Sequence, residues 1–315
     1  MSRYSEDEII ARVFAPIAGA AALGLKDDAA LLAPEGAPLV VTTDTVVAGV
    51  HFFADDAPAL IAKKALRVNL SDLAAKGAEP IGFLLGLALP GDWTNDWLDA
   101  FAAGLAEDAR AYRAPLIGGD TGATPGPLTI SITALGRAPR FVPRTGARPG
   151  DAIFVSGPIG DAALGLAVRR DPALAARLPA EARDHLIGRY LLPKPRLDLA
   201  PWLAANASAA MDISDGLAGD LAKLCRASGV SAMVDLPAVP LSAAAREAIA
   251  IEPALFETAM TGGDDYEILI AAGPDAAPPA PAGRIGEIAA GKAPPIFLDA
   301  QGKPAFFKKL SFQHF

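Results

Sequence analysis

One cysteine, Cys225, occurs in 315 residues, so no internal disulfide can form. It falls inside a helical pattern, where it reads as a small buried hydrophobe. Charge is also sparse. Charged residues make up 20% of the chain and the net charge is −8. A nucleic-acid-binding surface would show a basic stripe, and none is present. No apolar run reaches membrane-spanning length, because glycine, proline or charge interrupts each one. The opening Met-Ser-Arg-Tyr-Ser-Glu-Asp-Glu lacks the apolar core of a secretory signal, so a soluble, cytoplasmic protein is expected. Two familiar nucleotide signatures are missing as well. There is no Gly-x-x-x-x-Gly-Lys-Ser/Thr string, and no kinase set of Gly-rich loop, His-Arg-Asp and Asp-Phe-Gly.

What the chain does have is a sizeable core, with 52% hydrophobic residues, and length enough for two domains. It also has a recurring aspartate. Lys26-Asp27-Asp28, Thr42-Thr43-Asp44-Thr45, Asn69-Leu70-Ser71-Asp72, Gly118-Gly119-Asp120-Thr121, Asp212-Ile213-Ser214-Asp215-Gly216 and Gly262-Gly263-Asp264-Asp265 all place it beside apolar runs, never with histidine or cysteine partners. Hard oxygen ligands of this kind suit Mg²⁺, which takes a few carboxylates, several waters and substrate phosphates. Phosphoryl chemistry on a nucleotide follows as the expectation.

The periodicities alternate between strand and helix. Residues 39–47 read as a strand with a polar centre, and a helix is expected from Pro58 to Lys76, stopped by Gly77. Residues 81–89 fit a buried strand, Thr94 can cap the next helix, and 115–117 form a short strand meeting a Gly-Gly-Asp turn. Residues 128–136 alternate as a strand does. The Pro/Arg/Gly-rich stretch 138–150 reads as a linker, dividing a domain over 1–137 from a second over 151–315. The second half continues with strands at 152–156, 208–213, 231–235, 266–271 and 295–298, and helices near 161–169, 180–190, 195–205 and 217–227. Each half carries a Gly-Gly-Asp turn, at 118–120 and at 262–264.

Each motif has a plain alternative. Asp27 and Asp28 repel each other and favour a cation, or form a solvated turn. Thr42 and Asp44 share one strand face and Thr43 the other. They need partners if central, and none if the strand end is exposed. His51, after Gly49, reads as structural on spacing alone. Asn69 and Asp72 share a helix face amid apolar neighbours, which fits a buried site or an ordinary outward face. Gly118 and Gly119 allow close backbone approach to a phosphate, or merely a turn. Asp212, Ser214 and Asp215 sit where a strand gives way to a helix N-terminus, a place that favours phosphate. Capping accounts for one of the three.

In order, the strings KDDAALL, TTDTVVAGVHF, KALRVNLSDLAAKGAEP, LIGGDT, the Pro-Arg-Thr-Gly-Ala-Arg-Pro-Gly-Asp linker, SGPIGDAALGL, MDISDGLAGDL, GGDDYE and the terminal Phe-Gln-His-Phe cover nearly the whole chain. This set resembles the thiamine-monophosphate kinase family, whose superfamily also holds aminoimidazole-ribonucleotide synthetase, selenophosphate synthetase and a hydrogenase-maturation protein. The resemblance implies ATP-dependent phosphorylation of thiamine monophosphate to thiamine diphosphate. It implies an α/β fold of α+β type, with two α/β domains built on mixed sheets. The N-terminal domains would pair in a homodimer, with ATP in a cleft between domains. By position, Asp27, Thr42, Thr43, Asp44, Asp72, Asp120, Asp212 and Asp215 would hold several Mg²⁺ ions. Tyr112, Gly119, Asp120, Arg144 and Ser214 would contact ATP, and His51, Asp264 and Phe312 the substrate. Asp44, Asp72, Asp120 and Arg144 would carry the catalysis. An enzyme of the aminoimidazole-ribonucleotide synthetase kind and a non-catalytic Mg-ATP sensor are the alternatives. The selenophosphate enzyme would need a reactive Cys or selenocysteine near the N-terminus, which is absent here.

Overall fold

A computed structural model describes residues 26, 27, 30–32 and 38–311. Among them the strands form two mixed sheets. The first has the order β1 (Ala30–Leu32), β2 (Leu39–Val47), β5 (Thr129–Arg137), β3 (Glu79–Leu89), β4 (Leu116–Ala123). Its pairs are antiparallel except β3 with β4. Helices α1 (Pro58–Ala75) and α2 (Asn95–Ala111) cover one face. Leu66, Leu70, Leu73, Phe83, Phe101, Ile130 and Ile132 fill the layer between, all at most 1% exposed.

The second sheet is larger. Its order is β12 (Pro304–Ala305), β11 (Ile296–Leu298), β8 (Ser231–Asp235), β10 (Gly283–Ala289), β6 (Ala152–Val155), β9 (Ile268–Ala272), β7 (Ala207–Asp212). The helices here are α3 (Asp161–Arg170), α4 (Pro172–Arg177), α5 (Ala180–Leu191), α6 (Ala200–Asn206), α7 (Leu217–Ser228), α8 (Ala243–Ile251) and α9 (Leu255–Thr261). Ile153, Val155, Leu164, Met211, Leu217, Leu221 and Leu269 belong to its core. A further cluster joins the two halves. It packs Ala74 and Ala75 from the end of α1 with Val142, Leu199, Leu203, Ile268 and Ile270.

α1 is the element that positions the site. Pro58 begins it with a preset φ, and Gly77 ends it at φ 70°. The Gly77 and Ala78 N–H groups close back on Ala74 and Leu73 carbonyls at 3.0 and 2.9 Å. α2 starts where expected, with Thr94 Oγ1 accepting the Trp97 N–H at 3.2 Å.

Three sequence expectations change. The Gly-Gly-Asp at 118–120 is not a turn after a short strand. It lies inside β4, which runs parallel to β3 through Ala123. The 81–89 run is a strand, but Ile81 and Leu84 are 37% and 41% exposed, so only one side of it is buried. The helix expected near 195–205 is a 3₁₀ turn, Leu197–Leu199, followed by α6. Strand β10 and helices α8 and α9 were not expected. Alanine- and glycine-rich stretches such as Ala243–Ile251 and Gly283–Ala289 carry weak periodicity.

Candidate active site

Strand alternation sorts the polar centre of β2. Thr42 is buried and Thr43 faces out. Thr42 Oγ1 donates to Asp72 Oδ2 at 2.5 Å. The Asp44 N–H donates to Asn69 Oδ1 at 3.0 Å, and the Asn69 amide donates back to the Ala65 carbonyl. The one-face reading of Asn69 and Asp72 on α1 therefore holds, and the face is inward. Thr43 is turned away. Its hydroxyl donates to the Ile132 carbonyl at 3.0 Å and accepts from Thr133.

Asp212, last residue of β7, joins Asp44 and Asp72 from the other half of the chain. Burial raises the Asp44 carboxyl to about 6, aided by the charge of Asp215. Burial raises Asp212 to about 7; the Ser71 hydroxyl and Lys76 pull it down, while Asp44 and Asp220 push it up. Asp72 is held well above the usual carboxylate value by burial, Asp212 and Asp44, against the hydrogen bond from Thr42 and the charge of Lys76. Carboxylates that resist ionisation together are a place where a cation is favourable.

The flanking charges are partly visible. Asp27 Oδ1 lies 2.5 Å from Lys76 Nζ, and its Oδ2 accepts the Arg144 N–H at 2.7 Å. Burial lowers the Arg144 guanidinium, opposed by the charges of Asp27, Asp220, Asp212 and Asp215. Neither Ser214 nor Asp215 caps α7; Gly216 stands at that position, at φ 110°. The Asp215 N–H donates instead to Asp220 Oδ2 at 2.9 Å, and Lys223 bridges Asp215 and Asp220.

A second cluster surrounds Asp264. The residue adopts φ 72°, and its N–H donates to the Ser214 carbonyl at 2.9 Å. Two buried anchors hold this turn. Asp265 accepts the Gly160 and Ala162 N–H groups at the start of α3, at 2.6 and 3.2 Å. Glu267 is gripped by both nitrogens of the Arg196 fork, by Arg189 and by Ser156 Oγ. Asp264 itself stays partly exposed and pairs with Lys64 Nζ at 3.0 Å. Lys64 also donates to the His51 carbonyl and sits 3.8 Å from the Tyr190 ring centroid. His51 Nδ1 accepts the Val47 N–H at 3.0 Å, which leaves Nε2 as the protonated nitrogen of the neutral ring. Asp161 accepts from Ser242 and contacts His185, and so supports the α3 start.

The remaining expected residues lie elsewhere. Tyr112 ends α2, half-buried, with Arg67 over its ring at 5.6 Å. Gly119 and Asp120 are exposed on β4, outside the buried group. A side chain at Gly119 would put a Cβ 2.0 Å from the Leu85 carbonyl, so glycine is required there. Phe312 and Asp28 fall outside the described residues. Sequence reasoning missed Lys64, Lys76, Tyr190 and Lys223. The only signal was cations at helical spacings from the chosen acids.

The acidic set fits Mg²⁺ in a particular way. Among the described residues no three Asp, Glu, His or Cys side chains converge to grip one ion. Its donors are nonetheless hard oxygens from β2, α1 and β7. Mg²⁺ ordinarily takes one or two carboxylates and completes its octahedron with water and phosphate oxygen.

Residues 26–138 match the AIR synthase related protein, N-terminal domain, and residues 148–277 match the corresponding C-terminal domain. Thiamine-monophosphate kinase of Caulobacter vibrioides is 41% identical over 96% of this chain and 87% of its own length. The Escherichia coli K12 enzyme is 45% identical over 78% of this chain and 75% of its own. A solved structure of AaThiL complexed with AMPPCP and TMP superposes with a TM-score of 0.89 at 29% identity, covering 100% of this chain and 99% of that one. Two mixed sheets, a carboxylate centre drawing on both, and relatives matched over most of their length place this chain in the thiamine-monophosphate kinase family of AIR-synthase-related proteins.

Proposed function

We propose that the protein transfers the γ-phosphoryl group of ATP to thiamine monophosphate, giving thiamine diphosphate and ADP. The observation that carries this reading is the electrostatic coupling of Asp44, Asp72 and Asp212, carboxylates from two halves of the chain that, among the described residues, do not close as a set of three on one ion. Such a centre suits ions that arrive with phosphates. Asp27, Thr42, Asp44, Asp72, Asp212 and Asp215 would hold them, while Thr43, turned away, and Asp120, exposed on β4, lie outside that group in this structure. Bound Mg²⁺ would offset phosphate charge and polarise the transferring group.

The chain's own residues do the rest. Transfer breaks the bond between the γ-phosphorus and its bridging oxygen and forms a bond to an acceptor phosphate oxygen. That oxygen is already ionised near neutrality, so no strong general base is needed. Arg144 adds positive charge at the phosphates. Tyr112, Gly119, Asp120 and Ser214 hold the nucleotide, and Asp264, His51 and Phe312 hold the thiamine end. Lys64 and the Glu267 anchor keep Asp264 in place for that contact.

The reading extends to assembly and location. Ile81, Leu84 and Ile117 leave apolar side chains on β3 and β4, 37%, 41% and 56% exposed, which fits pairing of two copies through this sheet. No helix of the described residues is long and apolar enough to cross a membrane, which accords with a cytoplasmic biosynthetic enzyme.

The test is incubation with ATP, Mg²⁺ and thiamine monophosphate, following thiamine diphosphate by chromatography beside an EDTA control. Metal-dependent product is expected. Asp72→Asn is expected to lower turnover by about 100-fold or more while the circular-dichroism spectrum shows the fold intact. Wild-type-like turnover in that variant removes Asp72 from the centre, and a phosphoenzyme trapped with labelled ATP overturns direct transfer.

A further inference from the structure

Lys76 ends α1 and is 0% exposed, a fully buried large side chain. Burying an ammonium is costly unless opposite charge surrounds it. Its Nζ lies 2.5 Å from Asp27 Oδ1 and donates to the Ala210 carbonyl at 3.0 Å. Ala210 is two residues before Asp212 on β7, so the lysine reaches across from one half of the chain to the strand that carries the other half's carboxylate. The Phe141 ring closes the far side, with its centroid 6.0 Å away. The same ammonium acts on Asp72 and Asp212 through space, opposing the repulsion between them.

We propose that Lys76 is a resident cation of the acidic centre, supplying in the nucleotide-free protein countercharge that a divalent ion would otherwise supply, and thereby weakening resting Mg²⁺ binding. The inference rests on reading Asp27, Asp72 and Asp212 as the divalent-ion centre. Lys76 is a positioning residue here. It holds Asp27 against β7 and touches no reacting atom. One consequence is that the centre keeps its shape with fewer ions bound, and the remaining ions enter with the nucleotide's phosphates. Another is that removing the ammonium makes the cluster more negative, so free divalent ions bind it more tightly.

The experiment measures Mn²⁺ binding by electron paramagnetic resonance in nucleotide-free wild-type protein, Lys76→Met and Lys76→Gln. Both variants are expected to bind Mn²⁺ about tenfold tighter, or to take up one more ion, than the wild type. If Lys76→Met does not fold in EDTA, Mg²⁺ is expected to restore its circular-dichroism spectrum, at concentrations that leave the core variant Leu73→Ala unchanged. Equal affinity and stoichiometry in wild type and variants overturn the inference while leaving the metal reading intact. Failure of Mg²⁺ to restore an unfolded Lys76→Met overturns it as well. Absence of Mn²⁺ binding in all three nucleotide-free proteins overturns the inference, and absence with a non-hydrolysable ATP analogue also present overturns the metal reading. A purely structural lysine would change melting temperature without changing metal affinity.

Discussion

The tripeptide Gly-Gly-Asp occurs at 118–120 and again at 262–264, and the chain puts it to opposite uses. The first copy is extended, exposed and part of strand β4, with Asp120 registered against Gly86. The second is a turn between α9 and β9, with Asp264 in the left-handed region and anchors on either side. In both, a glycine is squeezed against a backbone carbonyl. A Cβ at Gly119 would stand 2.0 Å from the Leu85 carbonyl oxygen, and one at Gly263 2.1 Å from that of Ser214. The tripeptide demands close approach in each place, and its surroundings decide the shape. The first follows a run of β-forming residues beside an open sheet edge. The second is followed by Asp265 and Glu267, whose buried partners bend the chain.

The contrast can be broken most severely at Glu267. Glu267→Ala leaves Arg196 buried without its carboxylate, and a loss of about 3–5 kcal/mol is expected in denaturant unfolding. The first copy has no comparable anchor, so a wild-type midpoint would mean the second turn holds itself. The two aspartates come next. Asp264→Asn is expected to raise KM for thiamine monophosphate about tenfold or more, and Asp120→Asn to raise KM for ATP by a similar factor, read from steady-state kinetics. A shared pattern would place both on one ligand.

The glycines sharpen the contrast at smaller scale. Gly263→Ala should cost about 1–3 kcal/mol, because its neighbours are pinned on both sides. Gly119→Ala should cost more, since φ 155° and three backbone atoms of Leu85 within 2.9 Å of its Cβ oppose a side chain, against one such atom at Gly263. Thermal unfolding of the pair decides, and a larger loss at Gly263 reverses the argument. A separate effect concerns pH. Asp44 and Asp212 lie in the buried centre and titrate near about 6 and about 7, against a usual carboxylate value of 3.8. Between those limits the folded state holds protons that the unfolded chain has released. Stability without divalent ions should therefore fall as pH rises from about 4 to about 7. Mg²⁺ should flatten that slope, and a metal-free melting temperature that climbs over the same range contradicts the assignment.

Part of this site is legible in the residues because polar groups interrupt otherwise apolar elements. Thr42 and Asp44 break a strand of valines, and Asn69 and Asp72 break a helix of leucines and alanines. A buried polar group needs a partner, so the pattern points inward. The cations escape the same logic. Lys76 stands at a helix C-terminus just before a glycine, where a lysine ordinarily complements the helix dipole and faces water. Lys64 lies among other charges on α1 and reads as solvated. Both are buried because segments distant in sequence fold over them, Asp27 and Ala210 for one, His51 and Asp264 for the other. Residue spacing along one helix holds no record of that. The β4 strand escaped for a related reason. Two glycines read as a bend, and only the neighbouring β3 strand makes them extended.

Helix α1 carries Lys64 at one end of the site and Asp72 at the other, eight residues further on. An α-helix rises about 1.5 Å per residue, so the two stations stand about 12 Å apart along a rod that cannot stretch. The enzyme thereby owns a ruler. On the proposed reading, the thiamine end of the acceptor is held beside Lys64 through Asp264, and its phosphate would have to meet the carboxylates at the far mark. Acceptors with a shorter or longer tether between ring and phosphate fall off the scale, however well either end fits by itself.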